Sequence, residues 1–332
     1  MPRSPQDQPL PPDGPYYDDL ETGLVFPVPP PVTLDAGLVS AYRTIVGDHW
    51  APGLDHRLGA ALSGAAAPLV HPALVLVMST GASTVATKRV IANLFYRDVI
   101  LHRPVHLGQT LRTETRVLAM ADASPKPGVA PRGKVLLGMT TTADDEVVLE
   151  YQRCALLPCR GEVTAGHADD LGPTANPLDL ATYERAIPGH WKLDPLGPTD
   201  GWDVGQSRPD DLRDVVDNAT GLVRLSHNLA AAHRDAERSP YPVRLVYGGH
   251  TVALAHTSLD RTVAGMATLL GWHSCNHTAP VFEGETLGFE HTLIEERVVD
   301  HGRIRAVRVV VDAERDGRSV TVLDWTPVIW TT

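Results

Sequence analysis

Apolar residues fall on nearly every face of the segment 68–81, a pattern that predicts a helix buried on all sides. Four strand-like runs follow it, at 90–101, 111–119, 134–142 and 147–157. In the second run, Leu111, Thr113, Thr115 and Val117 occupy every second position, as in a strand with one face in a core. A buried helix followed by consecutive strands predicts a mainly antiparallel sheet packed on that helix.

The second half of the chain repeats this order. A helix is predicted over about 35–46, and its counterpart in part of 214–235. The segment 245–270 contains a second apolar stretch that predicts another buried helix, entered through two glycines. Strand-like runs then return, at 274–282, 286–298, 303–311 and 319–329.

Two pairs of matching segments indicate that the chain is a duplicated unit. The pair Leu69-Val70 recurs as Leu245-Val246, and the turn Pro-Val-x-x-Gly-x-Thr-Leu occurs at 104–111 and 280–287, in each case 176 residues apart. The predicted organisation is a disordered N-terminus (1–15), an N-terminal unit (16–160), a linker with the start of the second unit (161–214), and a C-terminal unit (215–332).

Composition and charge narrow the functional classes. The chain has 332 residues and a formal net charge of −11, and no lysine- or arginine-rich block favours a nucleic-acid partner. Three irregularly spaced cysteines and the lack of a ligand cluster or a phosphate loop predict no metal and no redox cofactor. The longest apolar run, 69–78, is too short to cross a bilayer, and no secretory signal is visible, so a cytoplasmic protein is expected.

The order of elements, together with several short sequence segments, resembles the MaoC-like acyl-CoA hydratase (dehydratase) family. These segments are the two turns at 104–111 and 280–287, the strand at 90–99, Arg153-Cys154-Ala155-Leu156, and the helix start at 244–249. The resemblance implies an α+β double hot-dog fold, in which an antiparallel sheet wraps a long central helix in each unit. Within the family, the two-copy layout is most similar to the mesaconyl-CoA hydratase (β-methylmalyl-CoA dehydratase) branch.

The family's hydration motif resembles Asp-x-Asn-Pro-x-His, an acidic residue followed five positions later by histidine. In the C-terminal unit, Asn228 takes the acidic position and His233 the histidine position. In the N-terminal unit, Asp48 is present but Gly53 stands where the histidine is expected, and His56 fits only if the loop is longer. The resemblance therefore implies that the C-terminal unit carries the active site and that the N-terminal copy is degenerate.

Hydration of an enoyl thioester needs a base for water, an acid for the α-carbon, and donors that hold the enolate oxygen. His233 is the candidate acid or base, although a surface histidine on an Ala-rich helix is the alternative. The Asn228 amide can only position water or orient the imidazole, and Asp235 is a candidate assistant. His227, one residue from the motif, is expected to be a bystander.

Gly248 and Gly249 start the second buried helix, where free backbone N–H groups favour negative charge. They are candidates for an oxyanion hole, or they merely allow close packing of the helix on a strand. At the equivalent place the N-terminal unit has His71 and Pro72, and proline removes one donor. Tyr247, His250 and His277 are candidate substrate-binding residues. Asp48 is a minor catalytic candidate that fits a loop-capping role better, as does Asp55.

The resulting hypothesis is reversible hydration of a 2-enoyl thioester, or dehydration of the 3-hydroxy form. The expected partner is a thioester of CoA or of an acyl-carrier protein, bound by a pseudo-dimer within one chain. A homodimer of such chains is left open. Two rival functions remain. A hot-dog thioesterase would direct water at the carbonyl carbon, and a non-catalytic acyl-thioester binder would fit the departures in both motif copies.

Overall fold

The computed structural model describes residues 13–199, 201–315 and 317–332. Within these ranges the helices and strands follow the repeated order that the sequence predicts. The helices are α1 (Ala36–Val46), α2 (Ala51–Leu54), α3 (His56–Ser63), α4 (Pro72–Ser83), α5 (Ala219–Leu225) and α6 (Gly248–Thr262). The strands are β1 (Val32–Thr33), β2 (Ala92–Leu101), β3 (Thr110–Asp122), β4 (Arg132–Ala143), β5 (Glu146–Pro158), β6 (Ser207–Pro209), β7 (Asp214–Val215), β8 (Met266–His277), β9 (Thr286–Val298), β10 (Arg303–Arg315) and β11 (Arg318–Thr331).

The described strands form one antiparallel sheet that wraps both buried helices. Its order is β1-β3-β4-β5-β2-β8-β11-β10-β9-β6, with β7 paired to β9. The helix α4 is apolar on all faces and buried along most of its length, as the sequence predicts. The α+β double hot-dog architecture is thereby confirmed.

The two halves repeat each other at the level of single backbone contacts. An isolated bridge joins Leu69 to His106 in the first half, and its counterpart joins Leu245 to Phe282 in the second. Each bridge fixes the chain just before a buried helix against the turn that feeds the next strand. The duplication inferred from matching sequence segments is therefore also present in the backbone pairing.

The halves are joined edge to edge through β2 and β8. Val99 lies opposite Trp272 and Ile100 opposite Gly271 in this short pairing. A Cβ added to Gly271 would lie 2.0 Å from the Val99 carbonyl oxygen, so only glycine allows the two edges to meet. The two units consequently share one continuous sheet.

Two boundary predictions were wrong. The first strand of the second unit begins at Met266, not near residue 274, because the apolar run 266–270 is buried on both faces and its periodicity does not separate strand from helix. Residues 13–15 are ordered: Gly14 and Pro15 are buried, and the Asp13 carboxylate accepts hydrogen bonds from Arg160. The remainder of the predicted disordered segment, residues 1–12, lies outside the described residues. Among the described helices, none is long and apolar enough to cross a membrane.

Candidate active site

A cavity of about 240 Å³ lies where the two halves meet beside the start of α6. The C-terminal half contributes the loop after α5, the first turn of α6 and the end of β8. The N-terminal half contributes the end of α4, the segment that follows it, and side chains from β2 and β5. The cavity is therefore built by both copies of the repeat.

The loop after α5 is held by the end of α4. A Cβ on Gly81 would lie 2.0 Å from the Ser226 carbonyl oxygen, so the absence of a side chain in α4 allows the loop to pack directly on the helix. The Leu229 N–H donates to Thr84 Oγ1 at 2.7 Å. These contacts position Asn228, which lies between them in sequence, and His233 farther along the same loop.

His233 lines the cavity as a neutral base. Its Nδ1 lies 3.0 Å from the Leu245 carbonyl oxygen, which can only accept, so Nδ1 carries the hydrogen and Nε2 keeps its lone pair. Burial lowers the pKa of His233 to about 4, and the hydrogen bond to Leu245 offsets only part of that effect. At neutral pH the imidazole is therefore uncharged, with Nε2 as its proton acceptor.

Asn228 also lines the cavity and presents an unused donor. Its side chain is fully buried, and its Oδ1 accepts from the Ala230 N–H at 2.8 Å. No described residue accepts a hydrogen bond from its Nδ2. Leaving a buried donor unpaired costs about 1–3 kcal/mol, so this amide is suited to an oxygen of a bound molecule.

The first turn of α6 supplies backbone donors. The opening N–H groups of an α-helix have no partner within the helix, and the preceding Tyr247 offers no side-chain cap. A Cβ on Gly248 would lie 2.8 Å from the His277 ring, so glycine lets the helix start approach that imidazole. Gly248, Tyr247 and His277 all line the cavity.

The remaining predicted site residues lie elsewhere. A Cβ on Gly249 would point at the Tyr247 ring, and Gly249 is not among the residues that line the cavity. His250 is fully buried and also outside the lining, with neither ring nitrogen bonded to a described residue, and burial lowers its pKa to about 4. Asp235 is exposed, and its carboxylate accepts from the Glu237 N–H, so it is not brought to His233.

Sequence reasoning missed the contribution of the N-terminal half to this cavity. Arg153 and Tyr96, on neighbouring strands β5 and β2, line it together with Thr87 and Asn93. The one sequence signal was Arg153 itself, a charged residue on the face of β5 that otherwise carries Leu149, Tyr151, Ala155 and Leu157. Nothing in its local pattern says that it faces the other copy's helix.

In the N-terminal half the space beside the start of α4 is nearly filled. Asp48 Oδ1 accepts from the Trp50 N–H at 2.8 Å, just as Asn228 Oδ1 accepts from Ala230, so the two loops correspond residue by residue. The pocket beside Pro72 measures about 10 Å³ and is lined by Trp50. Space of that size barely holds one water molecule.

Comparison with known proteins agrees with this architecture. No protein-family model matches the chain. Mesaconyl-CoA hydratase of Cereibacter sphaeroides is 26% identical over 320 residues, spanning 92% of this chain and 90% of that protein.

Two solved structures share the fold over nearly the whole chain. RV0216, a conserved hypothetical protein of Mycobacterium tuberculosis with a double hot-dog fold, is 39% identical with a TM-score of 0.86, covering 96% of this chain and 99% of that one. A MaoC domain protein dehydratase of Chloroflexus aurantiacus has a TM-score of 0.81 at 21% identity, covering 96% of this chain and 97% of that one.

Proposed function

The chain belongs to the MaoC-like acyl-CoA hydratase and dehydratase family in its double hot-dog form, and from that premise we propose that it reversibly hydrates 2-enoyl-CoA thioesters at the cavity beside α6. The observation that carries the proposal is His233, a neutral imidazole whose Nδ1–H is bound to Leu245 and whose Nε2 is free to take a proton. The mesaconyl-CoA named for the Cereibacter relative is a substrate of the proposed type.

The proposed reaction uses one proton-transfer group. His233 Nε2 takes a proton from water while the hydroxide oxygen bonds to the β-carbon, and the double-bond electrons move to the thioester oxygen. The imidazolium formed lies in a site whose burial favours the neutral form, so it is a strong acid. It returns the proton to the α-carbon, and one molecule of water has been added with no net change in the protein.

Backbone and side-chain amide donors can stabilise the negative charge that develops on the substrate during the reaction. The N–H of Gly248, at the positive end of the α6 dipole, is suited to the enolate oxygen. The free Nδ2–H of Asn228 is suited to the oxygen of water or of the product hydroxyl. Asn228 cannot exchange a proton, which leaves acid–base work to His233.

The test is turnover of crotonyl-CoA, followed by loss of the conjugated thioester absorbance. His233→Ala should lower kcat by about 10²- to 10⁴-fold, the usual contribution of a positioned acid–base group. His227→Ala is the matched control, because His227 is exposed and six positions earlier, and it should keep full activity. Full turnover by His233→Ala would remove this residue from the mechanism.

Mass spectrometry of the products separates the proposal from its rivals. A hydratase forms 3-hydroxybutyryl-CoA, whereas a thioesterase releases the free acid and CoA. Binding of crotonyl-CoA without either product would identify a non-catalytic acyl-thioester binder.

A further inference from the structure

His277 is a second histidine in the cavity, and its ring makes no hydrogen bond to the described protein. It is the last residue of β8, is partly exposed, and lines the cavity together with His233. No described residue is hydrogen-bonded to either of its ring nitrogens. A polar group that faces a cavity without a protein partner is available to a bound molecule. The His277 imidazole can therefore contact whatever occupies this space.

The ring lies against the start of α6. A Cβ on Gly248 would be 2.8 Å from both Nε2 and Cε1 of His277, so this edge of the imidazole packs directly on the Gly248 backbone. The Gly248 N–H is the donor proposed for the enolate oxygen. An oxygen held by that N–H therefore lies next to the imidazole, and Nε2 is the ring nitrogen nearer to the helix start.

The imidazole of His277 is uncharged at neutral pH. Burial lowers the pKa of His277 to about 4, and the nearby His233 makes a smaller contribution in the same direction. When His233 becomes an imidazolium during hydration, its positive charge disfavours a second proton on His277 still more. A neutral imidazole is a far weaker acid than an enol, so it keeps its hydrogen and polarises a carbonyl group as a hydrogen-bond donor.

The N-terminal half shows that the fold does not require a histidine at this position. His277 ends β8 three residues before the turn at 280–287, and Leu101 ends β2 three residues before the matching turn at 104–111. Leu101 lines the small pocket beside Pro72. An aliphatic side chain thus occupies this place beside the nearly filled pocket, whereas an imidazole occupies it beside the open cavity.

We propose that His277 donates its Nε2–H to the thioester oxygen, as the second donor of an oxyanion hole whose first donor is the Gly248 N–H. This inference rests on the proposed hydratase function and adds a catalytic residue to it. As water adds at the β-carbon, the double-bond electrons move to the thioester oxygen, and both hydrogen bonds strengthen with the charge on that oxygen. No proton leaves His277, so the acid–base work stays with His233.

The first test is turnover of crotonyl-CoA by three variants of His277. His277→Leu, which introduces the residue of the N-terminal half, should lower kcat by about 10²- to 10³-fold, the usual loss for one oxyanion-hole donor, with little change in KM. His277→Phe keeps a planar ring without a donor and should lose as much, so it replaces His277→Leu if that variant does not fold. His277→Gln keeps an N–H donor and should be more active than either. Equal turnover by His277→Gln and His277→Leu would overturn the inference.

His273→Leu is the matched control. His273 lies on the same strand, is partly exposed, and has a pKa that burial also lowers, but it is not among the residues that line the cavity. Its kcat should equal that of the wild type. A loss as large as that of His277→Leu would mean that a disturbed strand explains the effect, and it would count against a donor at position 277.

Infrared spectroscopy of a bound thioester tests the hydrogen bond itself. Butyryl-CoA has no carbon–carbon double bond in its acyl group and cannot be hydrated, and an isotopic label in its thioester carbonyl isolates the C=O stretch. Hydrogen bonds to the carbonyl oxygen lower the frequency of this stretch. The frequency should be lower in the wild type than in His277→Leu and His277→Phe, whereas His273→Leu should match the wild type.

The spectrum and the turnover assay keep the two proposals separable. If the wild type binds butyryl-CoA but does not hydrate crotonyl-CoA, the proposed function fails, and the carbonyl frequency still decides the role of His277. If the wild type hydrates crotonyl-CoA but its carbonyl frequency equals that of His277→Leu, hydration stands and His277 is not a donor. No binding of either thioester would overturn both proposals.

Discussion

The two copies of the repeat share a backbone but differ in what fills the space beside the buried helix. In the C-terminal half Ala230 leaves a cavity of about 240 Å³. In the N-terminal half Trp50 occupies the corresponding place, and about 10 Å³ remains between it and Pro72. Trp50 is 2% exposed and donates from Nε1 to the Ala267 carbonyl oxygen at 3.2 Å, so its indole is a structural part of the interior.

The same difference extends to the groups proposed to do chemistry. Gly53 takes the place of His233, and a Cβ at Gly53 would lie 2.9 Å from the Trp50 ring, so a histidine there is incompatible with the indole. Pro72 takes the place of Gly248 and removes an N–H from the helix start. In the N-terminal half packing takes the place of a site, while its strands β2 and β5, next to the junction of the halves, help line the cavity of the other half.

Removal of the Trp50 indole should have the largest effect on stability. Trp50→Ala should lower the free energy of unfolding by about 3–5 kcal/mol, as for other buried aromatic side chains. Hydration should not increase, because Gly53 supplies no base. Urea denaturation measures the loss, and Trp50→Phe, which keeps most of the ring volume, should lose less. New turnover assigned to the N-terminal pocket would mean that the volume filled by the indole is the sole reason for its inactivity.

Acidification should destabilise the C-terminal half. Burial lowers the pKa of both His233 and His250 to about 4, whereas an unfolded histidine titrates near 6.5. The stability that these two neutral, buried histidines contribute is complete above pH ~6.5 and is lost as the pH falls toward ~4. In that range the unfolded chain binds more protons than the folded chain. Each shift corresponds to at most about 3 kcal/mol. Urea denaturation at pH 7, 6 and 5 should show the decline.

His71, at the start of α4 in the N-terminal half, behaves oppositely. Burial alone would lower the pKa of His71, but the carboxylates of Asp48 and Asp260 outweigh it and raise that pKa. The stability that His71 contributes is therefore present at low pH and lost as the pH rises through its folded-state pKa.

His250→Leu isolates the pH dependence that the C-terminal half contributes, since it removes a buried histidine without a described partner. It should reduce the loss of stability between pH 7 and 5, and an unchanged slope would contradict the assignment.

Turnover should be more sensitive to substitution at the start of α6 than at the start of α4. Gly248→Ala places a methyl group 2.8 Å from the His277 ring and should displace the helix N-terminus from the thioester. Misplacement of a catalytic group by about 1 Å can lower the rate by about 100-fold, so kcat/KM should fall by about 10- to 100-fold. Pro72→Ala, the same position in the other half, should leave kcat/KM unchanged. Equal effects would indicate that both helix starts serve the reaction.

The sequence predicted the parts of this site that are local and missed those that depend on the second copy. The repeat offset placed both buried helices and their turns, and the five-residue spacing placed Asn228 and His233 on one loop. His250 was expected in the site because it is close in sequence, but on α6 its side chain points into the interior, away from the cavity. Arg153 reaches the cavity across β2 from a separate part of the chain, and no local pattern reports such a contact.

The smallest predicted effect is a shift of the pH profile, caused by placing the acidic residue of the family's motif at position 228. In Asn228→Asp a buried carboxylate would share the cavity with His233, and an opposite charge nearby raises a histidine pKa by about one unit or more. The acidic limb of the pH profile of kcat/KM should therefore move upward by about one pH unit. Asp48→Asn, the reverse change in the closed half, should leave that limb in place even if it lowers stability. A limb that does not move in Asn228→Asp would show that His233 is not the group whose protonation limits the reaction.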